Sequence, residues 1–489
     1  MAGYATLSRP TDSIGLMQME ENEVSEHGRF WLSGTPIEEP RIVPADTASG
    51  MLKIDADGKI TLKLGDPLLT APVSKDTVIL GYLPFSARFV RLEQIEAMHP
   101  SIIARYCLIG DRQSAGTTPI EDIADIQIPM EGFESWLGVP WHKYEETERG
   151  EGVLKSAPPE HWTYQLNSIE FDLAIRFGWR VTGQTASSTL TSFATLGLRP
   201  CASTTLREVA DTICKLEDLA LLLTDRDRSF DWPTVTRRDE SDASRFYFCH
   251  RLNRRRSNIE HLHIWVTFPW IRDDFGRIVD NWFAKYREFP STFINYLATR
   301  RASPLYLEHC FLSLIWAMEA MSRRSGRTNP NPGLVAKIQR IRKNVKQCLK
   351  SDDRGWLNDL LTRAEDPSLQ DRMFEIVSSL PLGLNDEHVK EFAKRCASRR
   401  NELSHYGGQR PDDASGNADE SFINDLGRLT RALDLLCHTR ILREIGVPDE
   451  MLRRPFQSEP RRWFLDAAGL PLPETTSGTA KQSSGGAAG

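Results

Sequence analysis

The chain has 489 residues, of which 40% are hydrophobic and 26% charged, so it has the composition of a folded globular protein with two to four domains. Its net charge of -6 argues against a whole-molecule electrostatic binder of nucleic acid. Its eight cysteines form no CxxC pair, which argues against a disulfide framework or a zinc ribbon and favours a reducing compartment.

The first 26 residues are polar and carry no periodic pattern, so we expect a flexible N-terminus. The opening MAGYATLSRPTDSIG lacks the basic-then-apolar order of a signal peptide. No apolar run in the chain approaches the 18 residues that a membrane-spanning helix needs. These features predict a cytoplasmic protein without a membrane partner.

Residues 27–290 are expected to form a β-rich domain. Apolar alternation around Asp57-Gly58 predicts a hairpin, because Asp-Gly between alternating arms favours a tight turn. The segment from Leu206 has apolar residues at helical spacing and predicts one helix. The other short apolar segments predict strands: GRFWLSG, TVILGYLPF, RFVRLEQI, ARYCLIGD, SIEFDLAIRFGWRVTG, SRFYFCHRL and HLHIWVTF.

The pattern changes to long helical periodicity after about residue 270. Residues 295–455 are expected to form a bundle, since the helical segments follow one another through short connections. Residues 456–489 end in a small, polar stretch that predicts a disordered tail. The fold class expected from these patterns is α+β, with the β-rich domain first.

Local charge departs from the acidic average in the first part of this bundle. From Arg301 to Lys350 there are ten Lys and Arg residues against two acids, Glu308 and Glu319. Clustered cations favour phosphate binding, but a solvated helix face balanced by acids elsewhere explains them equally well.

One late helix carries charges where its apolar stripe predicts none. Val389, Phe392, Ala393, Cys396 and Leu403 follow helical spacing. Continuing the stripe leads to Arg399 and Arg400. A buried arginine needs a partner or a cleft, because an unpaired buried charge is costly. Glu319 interrupts the apolar stripe of an earlier helix in the same way, so we expect it to pair with one of these arginines.

The end of this helix, SRRNELSHYGG, has side chains suited to RNA cleavage. Asn401 and His405 are four residues apart and share a helical face, next to a row formed by Arg400 and Ser404. A histidine near neutral pH transfers protons, and an arginine stabilises phosphate charge. The alternative is an ordinary helix end, since histidine and glycine are common there.

RNELSH, at the end of a late helix in a helical bundle, resembles the signature of the HEPN superfamily, an arginine followed after four to six residues by histidine. Arg400, Asn401 and His405 match it position by position, while Arg399 also satisfies the looser spacing. Glu319 matches the acidic residue of an earlier family helix. The resemblance covers about residues 300–445 and identifies 295–455 as an all-α HEPN bundle.

The N-terminal strands resemble the domain that precedes HEPN in ApeA-type proteins, which are bacterial anti-phage proteins that act by abortive infection. The resemblance rests on HGRFWLSG, SGMLKIDADGKITLKL, VILGYL and RFVRL. It implies that residues 27–290 sense a phage product or restrain the nuclease.

The resemblance further implies an endoribonuclease that needs no metal or other cofactor and that dimerises through HEPN. The RNA 2′-hydroxyl would attack the adjacent phosphate and leave a 2′,3′-cyclic phosphate. His405 would transfer protons, Arg400 would stabilise the phosphate, and Asn401 would orient the histidine or the phosphate. The candidate substrates are host tRNA, mRNA and phage RNA, and a phage-encoded trigger is a candidate partner. The alternative is a non-catalytic dimerisation or sensor scaffold.

A histidine- and cysteine-containing segment and a pair of tryptophans each allow a structural and a functional interpretation. Cys249-His250 and His261-x-His263 have a spacing compatible with a metal site, but their surroundings are strongly basic and no second ligand pair appears. Trp136 and Trp141 are expected to pack in a core or interface, with a binding platform as the alternative.

Overall fold

The computed structural model describes most of the chain. The described residues are 23–38, 41–65, 76–98, 101–111, 122–138, 142–146, 152–156, 161–184, 187–238, 242–249, 264–301, 305–325, 332–348, 351–406 and 416–473. They belong to two compact units. The first unit comprises Met1–Ala124, Thr204–Leu206 and Trp232–Arg254, and the second comprises the remaining segments.

The first unit contains a closed antiparallel β-barrel of six strands. Its strands are β1 (Val24–Leu32), β2 (Ala48–Ile54), β3 (Ile60–Leu64), β4 (Ile79–Leu83), β5 (Arg88–Met98) and β6 (Ser101–Gly110). The order β6-β3-β2-β1-β4-β5 closes because β5 also pairs with β6. Alternate side chains point inward and are fully buried, as in the pairs of β2 and β3 that bring Leu52 opposite Leu62 and Ile54 opposite Ile60.

The hairpin predicted at Asp57-Gly58 is confirmed by the pairing of β2 with β3. Gly58 has φ of 82°, a left-handed conformation that glycine adopts without steric cost. Its amide donates to the Asp55 carbonyl at 2.8 Å and so closes the turn. Two further strands of this unit, β13 (Thr234–Arg237) and β14 (Ala243–Phe248), pair with each other, and β14 continues along the edge of β6.

The second unit begins with a smaller antiparallel sheet in the order β10-β11-β12-β7. Its strands are β7 (Ile123–Pro129), β10 (His161–Gln165), β11 (Phe171–Gln184) and β12 (Ser187–Pro200). A separate hairpin joins β8 (His142–Glu146) to β9 (Gly152–Ser156). The predictions found β11 but missed β12, since its residues are rich in serine and threonine and its apolar alternation is weak.

Helices make up the rest of the second unit. They are α1 (Glu134–Leu137), α2 (Leu206–Thr224), α3 (Phe268–Ile271), α4 (Phe275–Glu288), α5 (Pro290–Arg300), α6 (Leu307–Ser325), α7 (Pro332–Cys348), α8 (Ser351–Glu365), α9 (Leu369–Ser378), α10 (Asp386–Tyr406), α11 (Gly416–Glu444), α12 (Asp449–Arg453) and α13 (Arg461–Ala467). The predicted helix at Leu206 and the bundle after residue 270 are confirmed, as is the α+β class. Within the described residues, no helix is long and apolar enough to cross a membrane.

The strand predicted for HLHIWVTF is wrong in its described part. Residues 264–267 form a loop, and α3 begins at Phe268 with a proline in its first turn. The loop is buried without joining a sheet, because the Val266 amide donates to the Leu223 carbonyl at 3.1 Å and the Val266 carbonyl accepts from Trp136 Nε1 at 2.9 Å. Burial and apolarity alone therefore do not specify a strand here.

The folded chain continues beyond residue 455, where the tail was expected to begin. α13 lies in that range, and both Leu465 of this helix and Ala468, directly after it, are fully buried. The guanidinium of Arg462, in the same helix, donates to the Leu472 carbonyl at 3.1 Å. Burial of these apolar side chains offsets the conformational entropy lost when the segment folds. The many polar residues around them had led to the prediction of a disordered tail. Residues 474–489 lie outside the described part.

Candidate active site

The candidate site is built on α10. The helix starts after Asn385, whose side-chain oxygen accepts from the Glu387 amide at 2.8 Å and so satisfies a free donor of the first turn. Four members of the predicted stripe face the core, since Val389, Phe392, Ala393 and Cys396 are at most 1% exposed, whereas the fifth, Leu403, is half-buried. This stripe fixes the rotation of α10 and therefore the directions of the residues that follow it.

Arg399 lies at the edge of the stripe and is neutralised by acids. Its Nε donates to Asp425 of α11 at 2.9 Å, and its Nη1 donates to Glu402 at 2.7 Å. The guanidinium also lies over the Phe422 ring, 4.7 Å from the centroid. Burial alone would lower the pKa of Arg399, but the hydrogen bonds to Glu402 and Asp425 outweigh it and raise the pKa. Arg399 is therefore a structural cation.

Asp425 is the acceptor that holds two arginines of α10. Besides Arg399, the guanidinium of Arg395 donates to it, and Arg395 also donates to the Ala468 carbonyl at 2.8 Å. Burial would raise the pKa of Asp425, but the hydrogen bonds from Arg395 and Arg399 outweigh it and lower the pKa. Sequence reasoning missed this carboxylate, since the only signal was an acid on the polar face of a different helix.

Arg400 has a different environment from its neighbour. It is half-buried, and its Nη1 donates to Asn401 Oδ1 at 3.2 Å. Its Nε is buried without a hydrogen-bond partner, and no carboxylate among the described residues pairs with it. The guanidinium therefore keeps an uncompensated positive charge and an unused donor, which an anionic ligand would satisfy.

The predicted ion pair between Glu319 and an arginine of α10 does not form among the described residues. Glu319 instead accepts from Arg323 of its own helix, at 2.8 Å from Nη2 and 3.1 Å from Nε. An i,i+4 pair on one helix needs no alignment of two helices, so it forms at lower entropic cost than a pair between helices. The structure thus does not bring Glu319 together with Arg399 or Arg400.

The remaining motif residues lie in the last turns of α10. Asn401 and Ser404 are exposed. His405 belongs to the same helix, one turn after Asn401, and its side chain lies outside the described part of the chain. Gly407 and Gly408, expected to end the helix, also fall outside it.

A cleft of about 740 Å³ lies between α10 and α11. From α10 it is lined by Arg395, Ser398, Arg399 and Glu402, which recur every three or four residues and form one helical face. The cleft therefore opens on the helix that also carries Arg400 and Asn401. Sequence reasoning did not find it, because its other wall comes from α11.

The two alternative sites have different outcomes. Trp136 is 3% exposed and its indole nitrogen donates to the Val266 carbonyl at 2.9 Å, which confirms the packing interpretation for this residue. Cys249 is exposed, whereas His250, His261 and His263 lie outside the described residues, as does Trp141. The described residues contain no cluster of three or more potential metal ligands.

Comparison with protein families matches the chain in two places. Residues 25–282 match the family described as ApeA N-terminal domain 1, and residues 312–451 match the Apea-like HEPN family. The chain belongs to the ApeA family. The resemblance read from RNELSH and the N-terminal strands is thereby confirmed. No curated protein and no solved structure matches the chain.

The ApeA-like HEPN match places the candidate site within a domain whose family generally consists of nucleases acting on RNA. α10 and the part of α11 that carries Asp425 both lie inside residues 312–451. ApeA membership also associates the chain with anti-phage defence. The family match does not itself select Arg400 over Arg399, and that choice rests on the environments of the two side chains.

Proposed function

We propose that this ApeA-type protein is a cytoplasmic anti-phage endoribonuclease that cleaves RNA without a metal. Arg400 carries the proposal, because its guanidinium is held in the apolar stripe of α10 without a carboxylate among the described residues. An unpaired guanidinium presents free N–H donors, and an anionic ligand would complete their hydrogen bonds. A phosphate of RNA supplies the matching acceptor oxygens.

The roles follow from the chemistry of three side chains. The RNA 2′-hydroxyl loses its proton as its oxygen forms a bond to the adjacent phosphorus. The bond from phosphorus to the 5′-oxygen breaks, and the leaving 5′-oxygen takes up a proton. His405 transfers protons in this step, since imidazole exchanges protons near neutral pH. Arg400 stabilises the charge that develops on the phosphate oxygens, and Asn401 holds the Arg400 guanidinium. The products are a 2′,3′-cyclic phosphate and a 5′-hydroxyl.

Arg399, Glu319 and Ser404 have supporting roles in this proposal. Arg399 ties α10 to α11 through Asp425, and Ser404 lies one turn after Arg400 on the same exposed end. Glu319 acts through Arg323 instead of contacting the motif. In this proposal the domain over 295–455 dimerises, and a second copy of the chain brings its own Arg400 and His405 to a composite active site. The domain over 27–290 senses a phage product or restrains the nuclease.

Mapping of RNA ends after induced expression tests the proposal. Wild type is expected to produce new 5′-hydroxyl ends and to slow growth, whereas Arg400→Ala abolishes both effects. Arg287→Ala is the matched control, because Arg287 is an exposed arginine of α4 that lies outside the motif and outside the basic segment from Arg301 to Lys350. Cuts that persist in Arg400→Ala would refute the assignment. Equal toxicity of wild type and His405→Ala without RNA cuts would favour a non-catalytic scaffold.

A further inference from the structure

The wall of the cleft that α11 provides has features that the proposed reaction does not use. Glu420, Ser421, Asn424, Asp425 and Arg428 recur at helical spacing and face α10 across the cleft. All described residues that line the cleft are polar or charged. Its volume of about 740 Å³ falls within the range of about 300–1,000 Å³ typical of ligand pockets.

The three arginines of the cleft differ in their ion pairing. Arg395 and Arg399 both donate to Asp425, and Arg399 also donates to Glu402. Arg428 is exposed and forms no ion pair with any carboxylate of the described residues. Arg428 is therefore the arginine of the cleft whose fork of N–H donors remains available to an anion.

The neutral groups of the cleft provide hydrogen bonds in addition to charge. Ser398, Ser421 and Asn424 carry both donors and acceptors, the pattern that sugar hydroxyls and base edges require. Three arginines face three carboxylates in the cleft, so its net charge does not attract polyanions in general. The combination fits one phosphate on Arg428 with an adjacent sugar or base.

The composition also decides between RNA and a second copy of the chain as the occupant. The cores of protein–protein interfaces are depleted in charged residues and enriched in aromatic ones. The described lining contains six charged side chains and no aromatic ones. A nucleotide, which is itself polar and charged, is the better match.

We propose that the cleft between α10 and α11 is a ribonucleotide subsite, in which Arg428 binds a phosphate next to the scissile one and Asn424 contacts the neighbouring sugar or base. This inference rests on the proposed nuclease function. Ser398 precedes Asn401 by three residues on α10, so the cleft lies within one helical turn of the motif. A nucleotide bound there would fix the register of the strand over Arg400 and His405.

Binding of a single-stranded 2′-O-methyl RNA oligonucleotide tests the subsite apart from catalysis, because this probe lacks the attacking hydroxyl. Loss of one phosphate contact in Arg428→Gln should reduce the slope of log K against log salt concentration by about 0.7. Affinity at low salt should fall about three- to tenfold. Arg287→Gln removes the same charge from an exposed site on α4, outside the cleft and outside the basic segment from Arg301 to Lys350, and should leave slope and affinity unchanged.

Cleavage kinetics and solution size complete the test. Arg428→Gln should raise KM and leave kcat near the wild-type value, and Asn424→Ala should change the nucleotides preferred beside the cut. If wild type cleaves RNA but Arg428→Gln and Asn424→Ala keep its salt slope, KM and cut preference, the subsite is overturned and the nuclease proposal stands. If Arg428→Gln changes the molecular mass in solution but not the RNA affinity, the cleft is instead an interface between copies.

The opposite result is also possible: RNA binding could depend on Arg428 although wild type cleaves no RNA. The nuclease proposal would then fail, while the cleft would remain an RNA site. Arg428 is exposed, so the substitution should fold normally, which a thermal unfolding curve checks.

Discussion

Two adjacent arginines of α10 illustrate how one residue of difference along a helix changes the role of a charge. Arg399 is held by Asp425 and Glu402, whereas the Nε of Arg400 is buried without an acceptor. The first arrangement stabilises the fold. The second leaves the guanidinium poised for a ligand at some cost in stability.

Substitution should separate these two roles. Arg399→Met should lower the free energy of unfolding by about 1–3 kcal/mol, because Glu402 loses its cation and Asp425 loses one of two. Arg400→Met should be neutral or slightly stabilising, since it removes an unsatisfied buried donor, yet it should abolish RNA cleavage. Denaturant unfolding and an RNA cleavage assay on both variants measure the difference. Equal stability losses would contradict the assignment.

The sequence predicts Arg400 correctly as an anomaly but not its surroundings. The apolar stripe of α10 is a local pattern, so the interruption by arginine is visible within one segment. The pairing of Arg399 with Asp425, 26 residues away, depends on how two helices cross, and the sequence spacing does not encode that. The expected pair between Glu319 and an arginine of α10 also depends on how two helices cross. Glu319 pairs with Arg323 of its own helix instead.

His438 of α11 is a buried histidine with a defined tautomer. Its Nε2 lies 2.8 Å from the Leu222 carbonyl, which only accepts, so Nε2 carries the proton. Its Nδ1 therefore accepts from the Tyr296 hydroxyl at 2.6 Å. Burial, with the nearby charge of Arg300, lowers the pKa of His438 well below its usual value, and the Leu222 carbonyl opposes this only partly. The neutral ring is stacked on Trp265 at 4.3 Å.

This histidine should make the protein sensitive to mild acid. Above pH about 6.5 the ring is neutral in both folded and unfolded chains, so its contribution to stability is fully present. Below that pH the unfolded chain takes up a proton that the folded chain refuses, and the free energy of unfolding falls by up to about 1.4 kcal/mol per pH unit. In His438→Gln this part of the slope between pH 6.5 and 5 should disappear. Parallel curves for the two proteins would rule out the contribution.

At the scale of elements, the outcome depends on how local the determinant is. The β2–β3 hairpin was predictable because Asp57-Gly58 encodes its own turn. The described part of HLHIWVTF was not, since the Val266 backbone bonds to Leu223 and Trp136 and the Trp265 ring packs on His438 and Phe456, none of which is a strand residue. α5 follows α4 directly at Pro290, so the two helical patterns merge and periodicity alone does not separate them.

Two glycines in different elements provide a matched test. Gly58→Ala should destabilise the protein by about 1–3 kcal/mol, because the left-handed backbone is strained for alanine and its Cβ would overlap the Phe248 carbonyl. Gly355→Ala in α8 should stabilise it by about 0.5–1 kcal/mol, because the site is open and alanine favours helix. Thermal unfolding compares them. A stabilised Gly58→Ala would contradict the predicted turn.

At the scale of the whole molecule, the compact units do not follow the family boundaries. α2 lies inside the range of the ApeA N-terminal domain match but belongs to the same compact unit as the helical bundle. Ion pairs fix its C-terminal end. Arg300 of α5 pairs with Asp225 and with Asp434 of α11, and Arg301 pairs with Asp218 and Asp227.

A fragment restricted to the bundle should therefore be less stable than the same bundle with α2. Residues 264–473 alone retain Arg300 and Arg301 but lose their partners Asp218, Asp225 and Asp227. Trp282 and His438 also lose the Lys215 and Leu222 carbonyls of α2 that accept their hydrogen bonds. A fragment from residue 204 restores these acids. Thermal unfolding of both fragments beside the full chain checks the prediction, and equal midpoints for the two fragments would contradict it.

An RNA cleavage assay in a chelator tests whether Arg400, Asn401 and His405 cleave RNA without a metal. Purified wild type is incubated with end-labelled RNA in excess EDTA, beside Arg400→Ala, His405→Ala and the surface control Arg287→Ala. We expect fragments with 2′,3′-cyclic phosphate and 5′-hydroxyl ends from wild type and control, and a loss of cleavage of at least about 100-fold in both motif variants. Cleavage that EDTA abolishes, or that survives in Arg400→Ala, would contradict this expectation.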